Sequence, residues 1–372
     1  MTPKKIRMLL PAIVALSLAA IPVPAGAESA AAYVVVLRAG TADDLTHRHG
    51  GTVEHRYSAA LQGFSARLTR GQARALAADP AVSYLVPDSP VHALGEQLNP
   101  PSWGLDRIDQ RTRPLDGRYR YATTAANVHA YVIDTGVKAT HQDFAGRVSG
   151  GYDFVDHDQD PTDGNGHGTF VAGVIGGTAH GVAKEVRIVP VRVLNNSGSG
   201  TISAVIAGID WVTRNAVKPA VANMSLGGSA NQALDDAVRR SIASGVTYSV
   251  PAGSSASQAG NFSPARVVEA ITSAAIDRND CASRSSNYGP LVDLYAPGVG
   301  ITAPWITSDT ATVTISGTSF AAAHVTGGAA LFAALNPVAT PAQVQAALKA
   351  KASRGVCNLP PNTADRILYT GQ

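Results

Sequence analysis

Charge is scarce in this chain of 372 residues: 30 Lys and Arg against 27 Asp and Glu, 15% in all, where soluble proteins carry about 25%. An even balance at that low level excludes a disordered, charge-driven chain. Acidic residues are absent before Glu28, so Lys4, Lys5 and Arg7 supply the whole formal net charge of +3. Residues 28–94 hold six basic and six acidic residues, and residues 95–372 hold 21 of each. With no basic surplus after the first 27 residues, neither a nucleic-acid-binding patch nor a polybasic membrane tether is expected. Cysteine is nearly missing as well. Cys281 and Cys357 are the only two, which excludes a dense disulfide framework and leaves open whether the pair is bridged.

What the first residues do contain is a basic start, an apolar stretch from Met8 to about Val23, and the small-residue pattern Ala25-Gly26-Ala27 of a signal-peptidase site. Residues 1–27 therefore read as a signal peptide and the protein as secreted. Pro11, Pro22 and Pro24 interrupt the run and keep it short of the roughly 20 clean apolar residues of a membrane anchor. No later segment reads as a spanning helix, so no membrane partner is expected.

Residues 28–94 read as a small α+β domain. Strands are expected over 33–37, 52–57, 61–68 and 81–86, with helices over 42–49 and 71–78, the β-α-β-β-α-β order of a ferredoxin-like unit. The polar, Gly/Pro-marked stretch His92–Pro101 reads as a linker or processing site. Beyond it the pattern becomes apolar, β-branched runs (128–133, 188–194, 220–226, 246–250, 270–276) alternating with helical periodicity at 202–215 and 231–243. That alternation implies an α/β domain, residues 95–372, with a parallel sheet covered by helices on both faces.

Functional groups in such a sheet gather at strand carboxyl ends and at the amino ends of the following helices. Three segments fit. Asp134 ends the strand Val132-Ile133-Asp134 before a Thr-Gly turn; His167 sits in Gly164-Asn165-Gly166-His167-Gly168-Thr169 at the entry of an apolar helix; Ser319 lies in Ser316-Gly317-Thr318-Ser319-Phe320-Ala321 at the start of a small-residue helix. Singly, each has a structural explanation as a cap, a turn or a core histidine. Together they supply a hydroxyl nucleophile, an imidazole to take its proton and a carboxylate to hold the imidazole. A serine at a helix start also aims its own N–H at a developing oxyanion.

The order Asp134, His167, Ser319 excludes the Ser-acid-His order of α/β-hydrolases and the His-Asp-Ser order of chymotrypsin-like enzymes. With AYVIDTGV (130–137), DGNGHGT (163–169), VANMSLGG (221–228) and SGTSFAAAHVTGG (316–328), the region from about Pro100 to Gly371 resembles the subtilisin family of serine proteases, close to its proteinase K and aqualysin branch. Residues 33–91 resemble the inhibitory propeptide of that family. The resemblance implies a secreted, broadly specific endopeptidase made as a zymogen, a monomer whose partners are protein or peptide substrates and its own propeptide. It implies Asp134 as orienting acid, His167 as general base and Ser319 as nucleophile. Substrate would lie extended between two backbone edges, Gly198, Ser199 and Gly200 on one side and Ser225, Leu226, Gly227 and Gly228 on the other.

Departures from the family pattern are few. Ser254 stands where an oxyanion-binding asparagine is expected, and the alternative this raises is a weakened or inactive binding protein. Phe170, Phe320 and Ala323 replace a histidine, a methionine and a proline. The family's paired cysteine positions are empty, as Gly164 with Asn196 and Gly260 with Pro290. Structural calcium is implied at Asp106, Asp109, Gln110 and Asp116, where Arg118 replaces an oxygen donor, and at Asp293 with carbonyls near Val268 and Ala270. The acidic run Asp153, Asp156, Asp158, Asp160 and Asp163 reads as a solvated loop.

Overall fold

The computed structural model describes residues 29–88 and 95–371, in two compact units. The segments read as signal peptide and the stretch His92–Leu94 lie outside the described residues.

The first unit follows the expected order: β1 (Ala31–Leu37), α1 (Ala42–His49), β2 (Thr52–Tyr57), β3 (Gly63–Leu68), α2 (Arg70–Ala77) and β4 (Val82–Pro87). The strands form a β2-β3-β1-β4 sheet, with the β1–β3, β1–β4 and β2–β3 pairs antiparallel. Helix starts are set by side-chain oxygens: Thr41 accepts the Asp44 N–H, and Thr69 forms a reciprocal capping box with Gln72. A small core of Val35, Leu45, Phe64, Ala66, Leu68, Leu76 and Val82 closes between helices and sheet.

The second unit begins with β5 (Gly95–Leu98), α3 (Trp103–Ile108) and β6 (Arg118–Tyr121). Here the linker reading fails for residues 95–98: β5 pairs antiparallel with β6, Glu96 meets the guanidinium of Arg118, and Gln97 bonds the Ala179 carbonyl and the Lys184 ammonium. Polar composition concealed the strand because its partners are cross-strand ions rather than a core.

The main elements follow: β7 (His129–Asp134), β8 (Tyr152–Asp153), α4 (His167–Gly176), β9 (Arg187–Arg192), α5 (Ile202–Asn215), β10 (Ala220–Asn223), β11 (Gly228–Ser229), α6 (Gln232–Ala243), β12 (Thr247–Pro251), β13 (Phe262–Ser263) and β14 (Ile271–Ile276). β15 (Leu294–Pro297), the hairpin β16 (Ile301–Pro304) and β17 (Thr312–Ile315), α7 (Thr318–Leu335) and α8 (Pro341–Lys351) complete it. Seven strands form one parallel sheet in the order β15-β14-β12-β10-β7-β9-β8. Side chains of β7 alternate between two cores: Ala130 and Val132 join α4 and α7, whereas Tyr131 and Ile133 join α5 and α6. Helix α7 is long and apolar enough to cross a membrane by length and composition, but 78% of it is buried inside this unit, so it is a core helix. Cys281 and Cys357 form a disulfide across a separation of 76 residues, the pairing the sequence left open.

Candidate functional site

β10, β12 and β7 are neighbours in the sheet, and their carboxyl ends carry the chemistry. Asp134 is the last residue of β7 and its side chain is fully buried. Its Oδ1 accepts the Thr135 N–H at 2.8 Å and lies 2.8 Å from Nδ1 of His167, while Oδ2 is buried without a partner.

His167 opens α4 after Gly166, whose φ of +110° is the left-handed region and whose hydrogen faces the Trp305 ring, where a Cβ would approach to 2.6 Å. The turn before it is fixed by Asp163. Oδ1 of Asp163 accepts the Thr135 hydroxyl and the N–H groups of Asn165 and Gly166; Oδ2 accepts the N–H and hydroxyl of Thr169. Thr135 in turn accepts the Gly168 N–H at 2.9 Å, tying the end of β7 to the start of α4. The solvated-loop reading is thus corrected: Asp156, Asp158 and Asp160 are exposed, but Asp163 is buried in this network and Asp153 is buried against Arg192. A buried carboxylate must be paired, and the Asp-x-Asn-Gly turn was the signal for Asp163.

Burial acts most strongly on the His167 imidazole and by itself lowers its pKa. The charge of Asp134, its hydrogen bond and the charge of Asp163 outweigh burial and leave the pKa above the ordinary 6.5. Phe320 lies against the ring, with centroids 5.9 Å apart, and packs at 4.3 Å on Phe170. Two of the departures from the family pattern therefore fill one another's space. Beneath them the buried His324 bonds the Phe320 carbonyl, and burial pushes its pKa down to about 4.

Ser319 lies in the first turn of the 18-residue α7. Its Oγ donates to the Ser225 carbonyl at 3.4 Å, and its carbonyl accepts the Ser225 hydroxyl at 2.9 Å. Phe320, the next residue, is the one that touches His167. Ser225 is held by Asn223, and Asn223 by Thr326 of α7. Ser254 lies 3.2 Å from Thr318, Oγ to Oγ1. Nearby Asn287 is committed elsewhere, donating to the Ala252 carbonyl and accepting the Ser255 and Ser257 N–H groups.

The segment Ser225–Gly228 separates two clefts. One, of about 620 Å³, is walled by Gly198, Ser199 and Gly200 and contains His167; the other, of about 280 Å³, contains Ser254, Thr318 and Ser319. The two predicted backbone edges thus face a common groove.

The acidic sets differ. Among the described residues no three His, Cys, Asp or Glu side chains gather at metal-binding spacing. In the first loop, Asp106 accepts the N–H groups of Asp116 and Gly117, and Asp116 is bound to the Arg118 N–H and the Arg120 guanidinium. Gln110 donates to the carbonyls of Thr112 and Pro114. The Arg118 side chain turns away to Glu96. Asp109 alone fits a cation: its Oδ1 is buried without a partner, and burial raises its pKa to about 6, against the opposing pull of Arg120. Asp293 is a correction. Its Oδ1 receives the Lys349 ammonium at 2.6 Å, while Gln345 donates to the Val268 and Ala270 carbonyls at 3.0 and 2.9 Å, so the oxygens expected to hold a metal are already satisfied.

Residues 127–368 match the Subtilase family profile, and residues 27–94 match Peptidase inhibitor I9. An "Extracellular serine proteinase" of Thermus sp. (strain Rt41A) is 52% identical over 322 residues, covering 86% of this chain and 78% of that protein. An "Alkaline serine exoprotease A" of Vibrio alginolyticus is 44% identical over 333 residues, and the chain spans 62% of its length. The crystal structure of a cold adapted subtilisin-like serine proteinase superposes with a TM-score of 0.70 at 51% identity, covering 72% of this chain and 97% of that one.

Proposed function

The chain belongs to the subtilase family of serine proteinases, and we propose that Asp134, His167 and Ser319 are its catalytic residues. It is a secreted serine endopeptidase made as a zymogen with its own inhibitor-type propeptide. The non-catalytic alternative finds no support among relatives named as proteinases.

The observation that carries the site assignment is the 2.8 Å pair between the buried Asp134 carboxylate and His167 Nδ1. A carboxylate there fixes Nδ1 as the protonated nitrogen and leaves Nε2 to accept a proton from the serine. Ser319 Oγ then attacks the peptide carbonyl, His167 Nε2 takes the hydroxyl proton, and the same imidazolium returns it to the leaving amine. The oxyanion meets the Ser319 N–H at the positive end of α7. In our reading the Ser254 hydroxyl, supported by Thr318, serves as the second donor. Substrate main chain lies between 198–200 and 225–228 as an added strand. Casein hydrolysis and fluorophosphonate labelling should both disappear in Ser319→Ala; labelling that survives would displace Ser319 as the nucleophile.

We also take residues 28–94 as the propeptide and 95–372 as the mature peptidase. Cleavage before Gly95 keeps β5 paired with β6, and Edman sequencing of the secreted enzyme tests the boundary. A monomer is expected on size-exclusion chromatography. Calcium is general in the subtilisin-like fold. In this chain we assign it to the loop that holds Asp106, Asp109, Gln110 and Asp116, with Asp109 alone as its side-chain anchor once Arg120 swings aside. Chelation should lower Tm, and an Asp109→Asn variant should lose that response.

A further inference from the structure

Four oxygens converge beside α8 from two chain segments: the Val268 and Ala270 carbonyls and both carboxylate oxygens of Asp293. Two carbonyls and a carboxylate able to bind through both atoms are the donor set of a hard divalent cation. Asp293 Oδ2 accepts only one backbone donor, the Thr272 N–H at 3.0 Å, and the remaining demand of the cluster is met by one helix. Helix α8 starts from the Thr340/Gln343 capping box, buries Val344 and Leu348, and presents Gln345 and Lys349 together, four residues apart and so on one face. The two amide hydrogens of Gln345 go to the two carbonyls, with Asp293 Oδ2 a further 3.4 Å contact, and the Lys349 ammonium goes to Oδ1. Every oxygen of the cluster thus receives a donor, and its negative charge meets one positive charge. The Lys349 and Asp293 side chains are only 31% and 14% exposed, which sets the pair apart from a fully solvated surface bridge.

We propose that Lys349 and Gln345 are a tethered substitute for a divalent cation at this corner, so that it stays closed without metal. A free ion leaves when its concentration falls, whereas a side chain on the same polypeptide keeps a fixed, high effective concentration at its site. Removing the two side chains exposes an oxygen cradle that takes Ca²⁺.

The test uses the full chain carrying Ser319→Ala, which prevents self-digestion, and compares it with the same chain carrying Gln345→Ala and Lys349→Ala. Isothermal titration with CaCl₂ should count one more bound calcium per molecule in the latter, and millimolar calcium should raise its Tm by a few degrees more than it raises the parent's. A third change, Asp293→Asn, should abolish both gains. Equal stoichiometry in the two folded proteins overturns the proposal. Should the double variant not fold, Asp293→Asn alone decides: an equal Tm loss in CaCl₂ and in chelator is expected, and a loss seen only with calcium makes Asp293 a metal ligand in the native protein and overturns the substitution.

Discussion

Asp134 and His167 sit in a closed network: Asp163 alone accepts five hydrogen bonds that tie β7 to α4. The Ser319 and Ser254 hydroxyls have no such bracing and rest on two longer contacts, 3.4 Å to the Ser225 carbonyl and 3.2 Å to the Thr318 hydroxyl. In the proposed mechanism the proton-handling half is over-determined, whereas the second oxyanion donor, the Ser254 hydroxyl, is free to rotate. Proton transfer needs one tautomer and one ring orientation, and any looseness there removes the base. A hydroxyl at the oxyanion still donates when it turns, at shorter reach than an amide. Changes in the Asp134–His167 half should therefore abolish turnover, as should loss of Ser319 itself, whereas changes at Ser254 and Thr318 should tune it.

The largest effect is expected from Asp134→Asn, which supplies the wrong tautomer: kcat should fall about 10⁴-fold with KM little changed. Activity near that of the parent would break the contrast. Next, Ser254→Asn should raise kcat, by up to about 10², because removal of an amide donor lowered subtilisin itself by about 10² to 10³. An unchanged kcat with a p-nitroanilide peptide would show that the hydroxyl already suffices. A few-fold fall is expected for Thr318→Val, shrinking in the Ser254→Asn background, since the hydroxyl pair is then no longer needed; an equal fall in both would uncouple the two residues.

The smallest expected effect is in pH dependence. Only neutral His167 can accept the serine proton, so kcat/KM should rise with pH through a value above 6.5. Asp163→Asn removes one of the charges that raise this pKa, and the acid limb should move to lower pH. The same raised pKa has the opposite sign for stability. Its contribution is full below 6.5 and is lost as pH rises through the folded-state value. A limb unmoved by Asp163→Asn would mean that Asp163 acts through geometry alone.

Much of the fold was legible because its signals are local. The helix over 202–215 and the strand over 52–57 coincide with the observed α5 and β2, where apolar periodicity and caps agree. The two-residue strand β8 and the polar β5 were not legible, because their pairing partners lie elsewhere in the chain. The places of Asp134 at a strand end and of His167 and Ser319 at helix starts were legible because such ends mark themselves with glycine. Asp163 was hidden in an acidic run whose members have opposite fates. Lys349 was hidden by distance: nothing in an exposed-looking Gln345-x-x-x-Lys349 spacing announces a carboxylate 56 residues earlier.

A protease lives among molecules of its own kind, and the Cys281–Cys357 bridge alters what a stray cut can do. Any single cleavage between those residues, including one beside Ser319, leaves both pieces on one covalent molecule. Such a nicked enzyme would run as one band without reductant and as two with it, so damage in that stretch can accumulate without shedding the tail.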